Sequence, residues 1–163
     1  MQARDLLGGD QLCLRSDATD TLMQPTNASS QSSPPMKPSA TNLPDRVHPQ
    51  EAHTLMRDIG LVLVDIRTAP EWMRTGIAEG AVAMTPQGPE FVNDVLELLD
   101  GDKTKPFALI CASGNRSAHA QRFMQSQGFT HCINVVEGMT GGAGAGPGWI
   151  LRGLPTVAYH HGS

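Results

Sequence analysis

The sequence predicts an α/β domain with a mainly parallel central sheet covered by helices on both faces. Three observations carry this. The strand candidates Leu61–Ile66, apolar apart from Asp65, and Phe107–Ile110 are continuous apolar runs rather than alternating ones, as expected of parallel strands buried on both faces. The segments around them repeat apolar residues at helical spacing. Glycine or polar residues close each segment, so strands and helices alternate along the chain.

In chain order, the first 44 residues differ from the rest. The stretch 25–44 is mostly Pro, Ser, Thr and Asn and has almost nothing to bury, so it is expected to be a disordered or weakly structured tail and linker. Met23 and Met36 offer alternative starts within the first 44 residues. From about Asp45 the pattern becomes that of a folded domain running to residue 163. Pro49 opens a helix whose inner face is Leu55, Met56 and Ile59, and Gly60 closes it. The strand 61–66 follows. Phe91, Val95, Leu96, Leu98 and Leu99 mark a helix over 89–99, stopped by Gly101. Phe107–Ile110 is a strand ending directly on Cys111, and Asn115–Gln127 is a helix with Ala118, Ala120, Phe123 and Met124 inward. Cys132–Val136 is a third strand, before a glycine-rich loop and a short tail around Trp149 to Val157.

The bulk numbers bound the function. A chain of 163 residues holds one ordinary domain. A net charge of −4 gives no basic footprint for nucleic acid. No run approaches the 18 or so apolar residues of a membrane span. Asp5 and Asp10 interrupt the opening, so it does not read as a signal peptide. Cys13, Cys111 and Cys132 are odd in number and widely spaced, which fits neither a disulfide framework nor a zinc pattern. A reducing, cytoplasmic setting is expected, with no metal and no cofactor.

The chemistry concentrates in Ile110-Cys111-Ala112-Ser113-Gly114-Asn115-Arg116-Ser117. A cysteine leaves a buried strand, a loop of small residues follows, and a helix starts at once. The helix N-terminus supplies partial positive charge and unpaired N–H groups, and Arg116 adds a full charge beside it; both favour an anion on sulfur. Small residues let backbone amides converge on one point. Gly114 allows a left-handed turn, and Ser117 is placed to donate a hydrogen bond to the sulfur. The anion held can be a thiolate, a persulfide or an oxyanion in transfer. The bland alternative is an inert core cysteine, but an apolar core has no use for Arg116 at that spacing.

CASGNRS resembles the active-site loop of rhodanese-like domains, and further pieces follow in that family's order. Asp65-Ile66-Arg67 with Glu71-Trp72, then Gly80-Ala81-Val82, then Val136-Glu137-Gly138, and finally Trp149 with Gly153-Leu154-Pro155 and Val157 resemble its successive motifs over roughly Val47 to Val157. The resemblance implies a three-layer rhodanese-like domain and a sulfurtransferase. Four residues separate Cys111 from Arg116, a C-x4-R loop that resembles sulfurtransferases. Phosphatases with this fold have C-x5-R, wide enough for a tetrahedral oxyanion, so a phosphatase or arsenate reductase is the weaker alternative.

The resemblance further implies a Cys111 persulfide formed from thiosulfate or another sulfane-sulfur donor. It would be stabilised by the amides of Ala112, Ser113, Gly114, Asn115 and Arg116, with the Arg116 guanidinium opposite, and passed to cyanide, a thiol or a protein thiol. A sulfur-carrier or interaction module served by a partner protein needs the same cradle and is the competing class. Asp65 is expected either to hydrogen-bond loop amides or to be a cap or turn residue. Arg67 is expected to pair with Glu71 or, less favoured, to face the substrate.

Two departures stand out. Thr75-Gly76-Ile77-Ala78-Glu79-Gly80-Ala81 has glycine where the family commonly has histidine, plus one added residue. The segment 138–148 carries six glycines and is read as a tolerated surface insertion in preference to a mobile rim. Cys132, Trp72 and Trp149 are read as packing residues. His160 and His161 lack the helical spacing of a metal pair.

Overall fold

A computed structural model of the chain describes residues 42–160. Most of the expected tail, with Cys13, Met23 and Met36, and also His161, lie outside the described residues. The order is β1 (Arg46–Val47), α1 (Pro49–Ile59), β2 (Val62–Asp65), α2 (Ala69–Thr75), β3 (Ile77–Ala78), β4 (Val82–Ala83), α3 (Glu90–Leu98), β5 (Phe107–Ile110), α4 (Asn115–Ser126), β6 (Cys132–Val135), α5 (Gly148–Leu151) and β7 (Thr156–Val157). Strands pair in the order β1-β6-β5-β2-β4, all parallel, and β3 pairs antiparallel with β7 in a separate ribbon.

The sheet explains the unbroken apolar runs. Leu63, Ala108, Ile110, Ile133 and Val135 pack on one face with Ala52 and Leu55 of α1 and Trp149 of α5. Val64, Phe107, Leu109 and Cys132 pack on the other with Phe91 and Val95 of α3 and Met124 of α4. Alternate strand residues thus point to opposite faces, and each meets a helical layer. The Phe107 and Phe129 rings meet edge-on at 5.6 Å, anchoring the turn from α4 into β6. Leu43, just ahead of the expected boundary at Asp45, already packs against the first core.

The expected helices and strands form within one or two residues of their anticipated limits. The sequence reading passed over α2, whose pattern is too short to show a period. Its Thr68–Glu71 cap is nevertheless legible: the Thr68 N–H donates to the Glu71 carboxylate at 3.0 Å, and Pro70 stands in the first turn. The two-residue strands β1, β3, β4 and β7 carry too few residues for any periodicity.

The correction to 138–148, expected as a tolerated surface insertion, concerns its two ends, for residues 142–147 are exposed or half-buried. Its backbone is laced to the rest. Met139 N–H donates to the Cys111 carbonyl at 2.7 Å, and Thr140 N–H and Gly141 N–H donate to that of Ala112 at 2.9 and 3.1 Å. Trp149 N–H returns to Gly138 at 2.9 Å and Ile150 N–H to Met139 at 3.0 Å. Here glycine permits close approach of two backbones rather than freedom: Gly138 has φ +63°, and a Cβ there would overlap the Cys111 carbonyl oxygen and the Ala112 backbone.

Glu137 fastens this segment. Its buried carboxylate accepts from Arg152 at 2.6 and 2.8 Å, from His48 Nδ1 at 2.9 Å and from the Gly148 N–H at 3.1 Å. The Arg152 guanidinium first, then His48 and the Gly148 amide, hold its pKa down to about 2 against an ordinary 4.5. A carboxylate whose folded-state pKa is depressed contributes stability that is present above its unfolded value and is lost as pH falls toward the folded one. Acid titration of stability therefore shows a decline between about pH 4.5 and 2, and Glu137→Ala, less stable at neutral pH, loses part of that slope in denaturant unfolding at successive pH values. A paired substitution checks the close approach. Gly138→Ala should lower unfolding free energy by more than ~2 kcal/mol through strain plus overlap. Gly144→Ala, at φ +82° with open space around it, should lose only ~1 kcal/mol.

Candidate active site

Cys111 follows β5, the middle strand of the sheet, at the carboxyl end where α/β folds commonly place their sites. The strand delivers the residue to a fixed point because its neighbours β2 and β6 hold it on both sides. The chain then turns through Ala112 and Ser113 to Gly114, the N-cap of α4 at φ +90°. A Cβ on Gly114 would stand 3.0 Å from the Glu137 nitrogen, so both the turn and its backing demand glycine.

The turn wraps the sulfur. Cys111 is 0% exposed, and its Sγ accepts from the Gly114 N–H at 3.2 Å, the Ser117 N–H at 3.4 Å and the Ser117 hydroxyl at 3.4 Å. Three donors on one sulfur at a helix N-terminus form a cradle for negative charge. The converging amides are thus those of Gly114 and Ser117; those of Ala112, Ser113, Asn115 and Arg116 make no hydrogen bond to Sγ. Ser117, expected to donate, donates twice.

The charged residues pair differently from the sequence reading. Arg116 was expected opposite the sulfur. Its guanidinium instead forms a two-pronged bond to Glu71, Nη2 to Oε1 at 2.7 Å and Nη1 to Oε2 at 3.1 Å. The prong, with help from Thr68, holds Glu71 at a pKa of about 2, and Arg116 is raised in turn by Glu71 and more weakly by the charges of Cys111 and Asp65. The Arg116 side chain stays 48% exposed, so the pair sits at a wet rim. It ties the α2 cap to the first turn of α4.

Arg67 was expected to pair with Glu71 and is instead committed to Asp65. Its Nη2 lies 2.7 Å from Asp65 Oδ2, and Nε lies 3.0 and 3.1 Å from the two carboxylate oxygens. The remaining donors reach Thr75 Oγ1 at 2.8 Å and the Gly76 carbonyl at 2.7 Å. Both partners are buried and well supplied with bonds, the condition under which a buried ion pair is tolerated. Asp65 also accepts from the Arg67 N–H at 3.1 Å, a turn-forming bond, so the turn reading of Asp65 holds and the bond to loop amides does not form. Substrate has no access to Arg67 here. Asp65 and Arg67 support the site by fixing the β2 exit, which lies beside Cys111 because Asp65 pairs with Ile110.

The other expectations resolve as packing. Trp149 is buried with its indole N–H on the Pro155 carbonyl at 2.9 Å, and Trp72 is buried against Tyr159. Cys132 is buried in the core, and burial pushes its thiol pKa far up, which leaves it chemically inert. Gly76, standing where the family commonly has histidine, has φ +74°, and a Cβ there would meet the Val157 carbonyl of the β3–β7 ribbon. Sequence reasoning missed Glu137 as a structural hub; its only signal was an acidic residue directly before the glycine-rich run.

The model of the Rhodanese-like domain matches residues 48–145. Rhodanese-like domain-containing protein 17 of Arabidopsis thaliana is 32% identical over 113 residues, covering 63% of this chain and 67% of that protein. Thiosulfate sulfurtransferase GlpE of Pseudomonas savastanoi pv. phaseolicola is 29% identical over 93 residues, covering 57% of this chain and 81% of that protein. Among solved structures, that of Rv0390 from M. tuberculosis matches with a TM-score of 0.55 and 26% identity, over 72% of this chain and all of that one. A sheet with helices on both faces, a sulfur cradled after its middle strand and a family match over most of the described domain lead to one assignment: this chain belongs to the rhodanese-like domain family.

Proposed function

We propose that the chain is a sulfurtransferase that moves a sulfane sulfur through a persulfide on Cys111. The observation carrying this reading is the sulfur itself, held by three donors inside a C-x4-R loop at a helix N-terminus. In the first half-reaction the Cys111 thiolate attacks the outer sulfur of thiosulfate. An S–S bond forms to Cys111, the bond to the sulfonate group breaks, and sulfite leaves with its electron pair. In the second, cyanide or a thiolate attacks the outer sulfur of the persulfide, and the Cys111 thiolate departs. This is covalent catalysis in which one nucleophile serves twice. The persulfide is anionic, so amide and hydroxyl donors preorganised toward the loop centre stabilise it without rearrangement.

Arg116 belongs to this scheme at the rim. Half exposed and steered by Glu71, it attracts an anionic donor while the Glu71 carboxylate prevents it from collapsing onto the thiolate. A phosphatase reading has less support, since the C-x4-R loop is one residue shorter than the C-x5-R loop that cradles a tetrahedral oxyanion. Both described cysteines are free thiols, which fits the reducing cytoplasmic setting proposed for the protein. No helix among the described residues is long and apolar enough to cross a membrane.

Intact mass after incubation with thiosulfate tests the proposal. The protein should gain the mass of one sulfur atom, cyanide should remove it, and Cys111→Ser should gain none. An unmodified protein after thiosulfate and after a persulfide donor, together with hydrolysis of an aryl phosphate, would overturn it. Steady-state thiosulfate:cyanide assays supply a second check. Arg116→Ala should lose roughly tenfold in kcat/KM, mostly through KM, as removal of one charged contact at an exposed rim implies. Activity confined to sulfur delivered by a partner protein would identify the carrier form of the same chemistry.

A further inference from the structure

Behind the Cys111 loop, on the side of β6 and β1, the surface opens into a cleft of about 490 Å³, a size usual for small-ligand sites. Its walls are the loop at Ser113–Asn115, the outer face of α4, the end of β6 and the tip 143–145 of the glycine-rich segment. Arg46 of β1 and Arg122 of α4 line it, and among the described residues neither has an ion-pair partner. Glu137 also borders the cleft, but its carboxylate is already taken by Arg152, His48 and the Gly148 amide. The free charge of the cleft is therefore positive.

A third group there lacks a partner. Asn134 is 3% exposed and lines the cleft, and its Oδ1 accepts no hydrogen bond. A buried unpaired acceptor is unfavourable and uncommon without a reason. The amide's other end donates to the Gly114 carbonyl at 3.3 Å. That bond is long for N–H···O, so a small swing of the amide presents Oδ1 to the cleft with little lost.

These groups specify a ligand. Guanidiniums recognise a carboxylate or a phosphate in a two-pronged manner. The Asn134 oxygen requires a donor; sulfate carries none at neutral pH, and phosphate carries one only as an O–H on the same anionic centre that the guanidiniums would grip. A carboxylate with an N–H two bonds away satisfies both demands, and that pattern is the C-terminus of a peptide or an N-acyl amino acid. We propose that this cleft binds a peptide C-terminus, its carboxylate between Arg46 and Arg122 and its terminal amide N–H on Asn134 Oδ1. The site adjoins the sulfur through one residue, since Gly114 gives its N–H to Sγ and its carbonyl to Asn134. Delivery of a peptide thiol to the Cys111 persulfide would rest on the sulfurtransferase reading. The binding itself does not.

Titration of the full chain with N-acetyl-glycylglycine and with its C-terminal amide, followed by amide NMR shifts and calorimetry, tests the site. The free acid should bind and shift the Gly114 backbone and Asn134 side-chain signals, and the amide should bind at least tenfold more weakly. Arg46→Ala and Arg122→Ala, both at exposed positions, should keep the fold by circular dichroism and each weaken the acid by roughly tenfold, as loss of a charged hydrogen bond implies. Cys111→Ser should bind as the native chain does, which separates this site from sulfur transfer. A protein tail ending in the same residues that binds tenfold tighter than the free dipeptide identifies a protein partner, and equal affinity identifies a short free peptide. Equal binding of acid and amide, indifference to both arginine substitutions, or acetate and phosphate competing as well as the peptide would each overturn the proposal.

Discussion

The Cys111 loop is held from two sides at once, and the rest of the site depends on that clamp. On one side the first turn of α4 directs the Gly114 and Ser117 amides at the sulfur. On the other, the glycine-rich segment takes the carbonyls of Cys111 and Ala112 through its own N–H groups. Donors therefore face the sulfur while the outward-facing acceptors of the same loop are already satisfied. The sulfur thus meets three N–H and O–H donors in a buried place, an arrangement complementary to negative charge. The parallel sheet contributes by fixing where the loop begins, since β5 cannot shift without breaking its ladders on both edges.

Charge is partitioned around that clamp. Asp65 with Arg67 and Glu137 with Arg152 are closed pairs that fasten backbone exits on either side of β5. Glu71 with Arg116 is a half-exposed pair that reaches the first turn of α4, directly after the Cys111 loop. The first two pairs secure geometry, and the third meets solvent. That division explains why nearby acidic and basic residues, read along the chain as interchangeable partners, select the particular ones they do.

The fold and the centre of the site were legible in the sequence for definite reasons. Continuous apolar runs such as Phe107–Ile110 announce a strand covered on both faces, and Cys111 followed by small residues and Ser117 announces a cradle. What stayed hidden is set by contacts distant in sequence. Glu71 and Arg116 are 45 residues apart, and His48 and Glu137 are 89 apart, so no local pattern joins them. Spacing favoured Arg67 with Glu71, yet Arg67 curls back onto Asp65, two residues away, because the chain turns sharply after β2. Glycine richness was misread because the same residue type serves loose linkers and tight backbone contacts, and only the neighbour across the gap tells them apart. Short elements such as α2 and β7 follow from tertiary pairing rather than from any period of their own.

The glycine-rich segment is pinched at its base, where Gly142 and Gly146 bridge and the Gly146 carbonyl takes the Gly142 N–H at 3.1 Å. The residues between, Ala143 to Ala145, project outward from a stem whose ends are already fixed. Because the closure entropy of such a stem has been met by its own contacts, lengthening the tip adds only a slowly growing logarithmic term. The tip is consequently a natural graft point: a fluorophore, an affinity handle or a recognition sequence placed there would stand over the Arg46–Arg122 cleft without disturbing the carbonyls that back the sulfur. The frame on either side, Gly138 and Gly148, stays constrained by the backbone pressed against it.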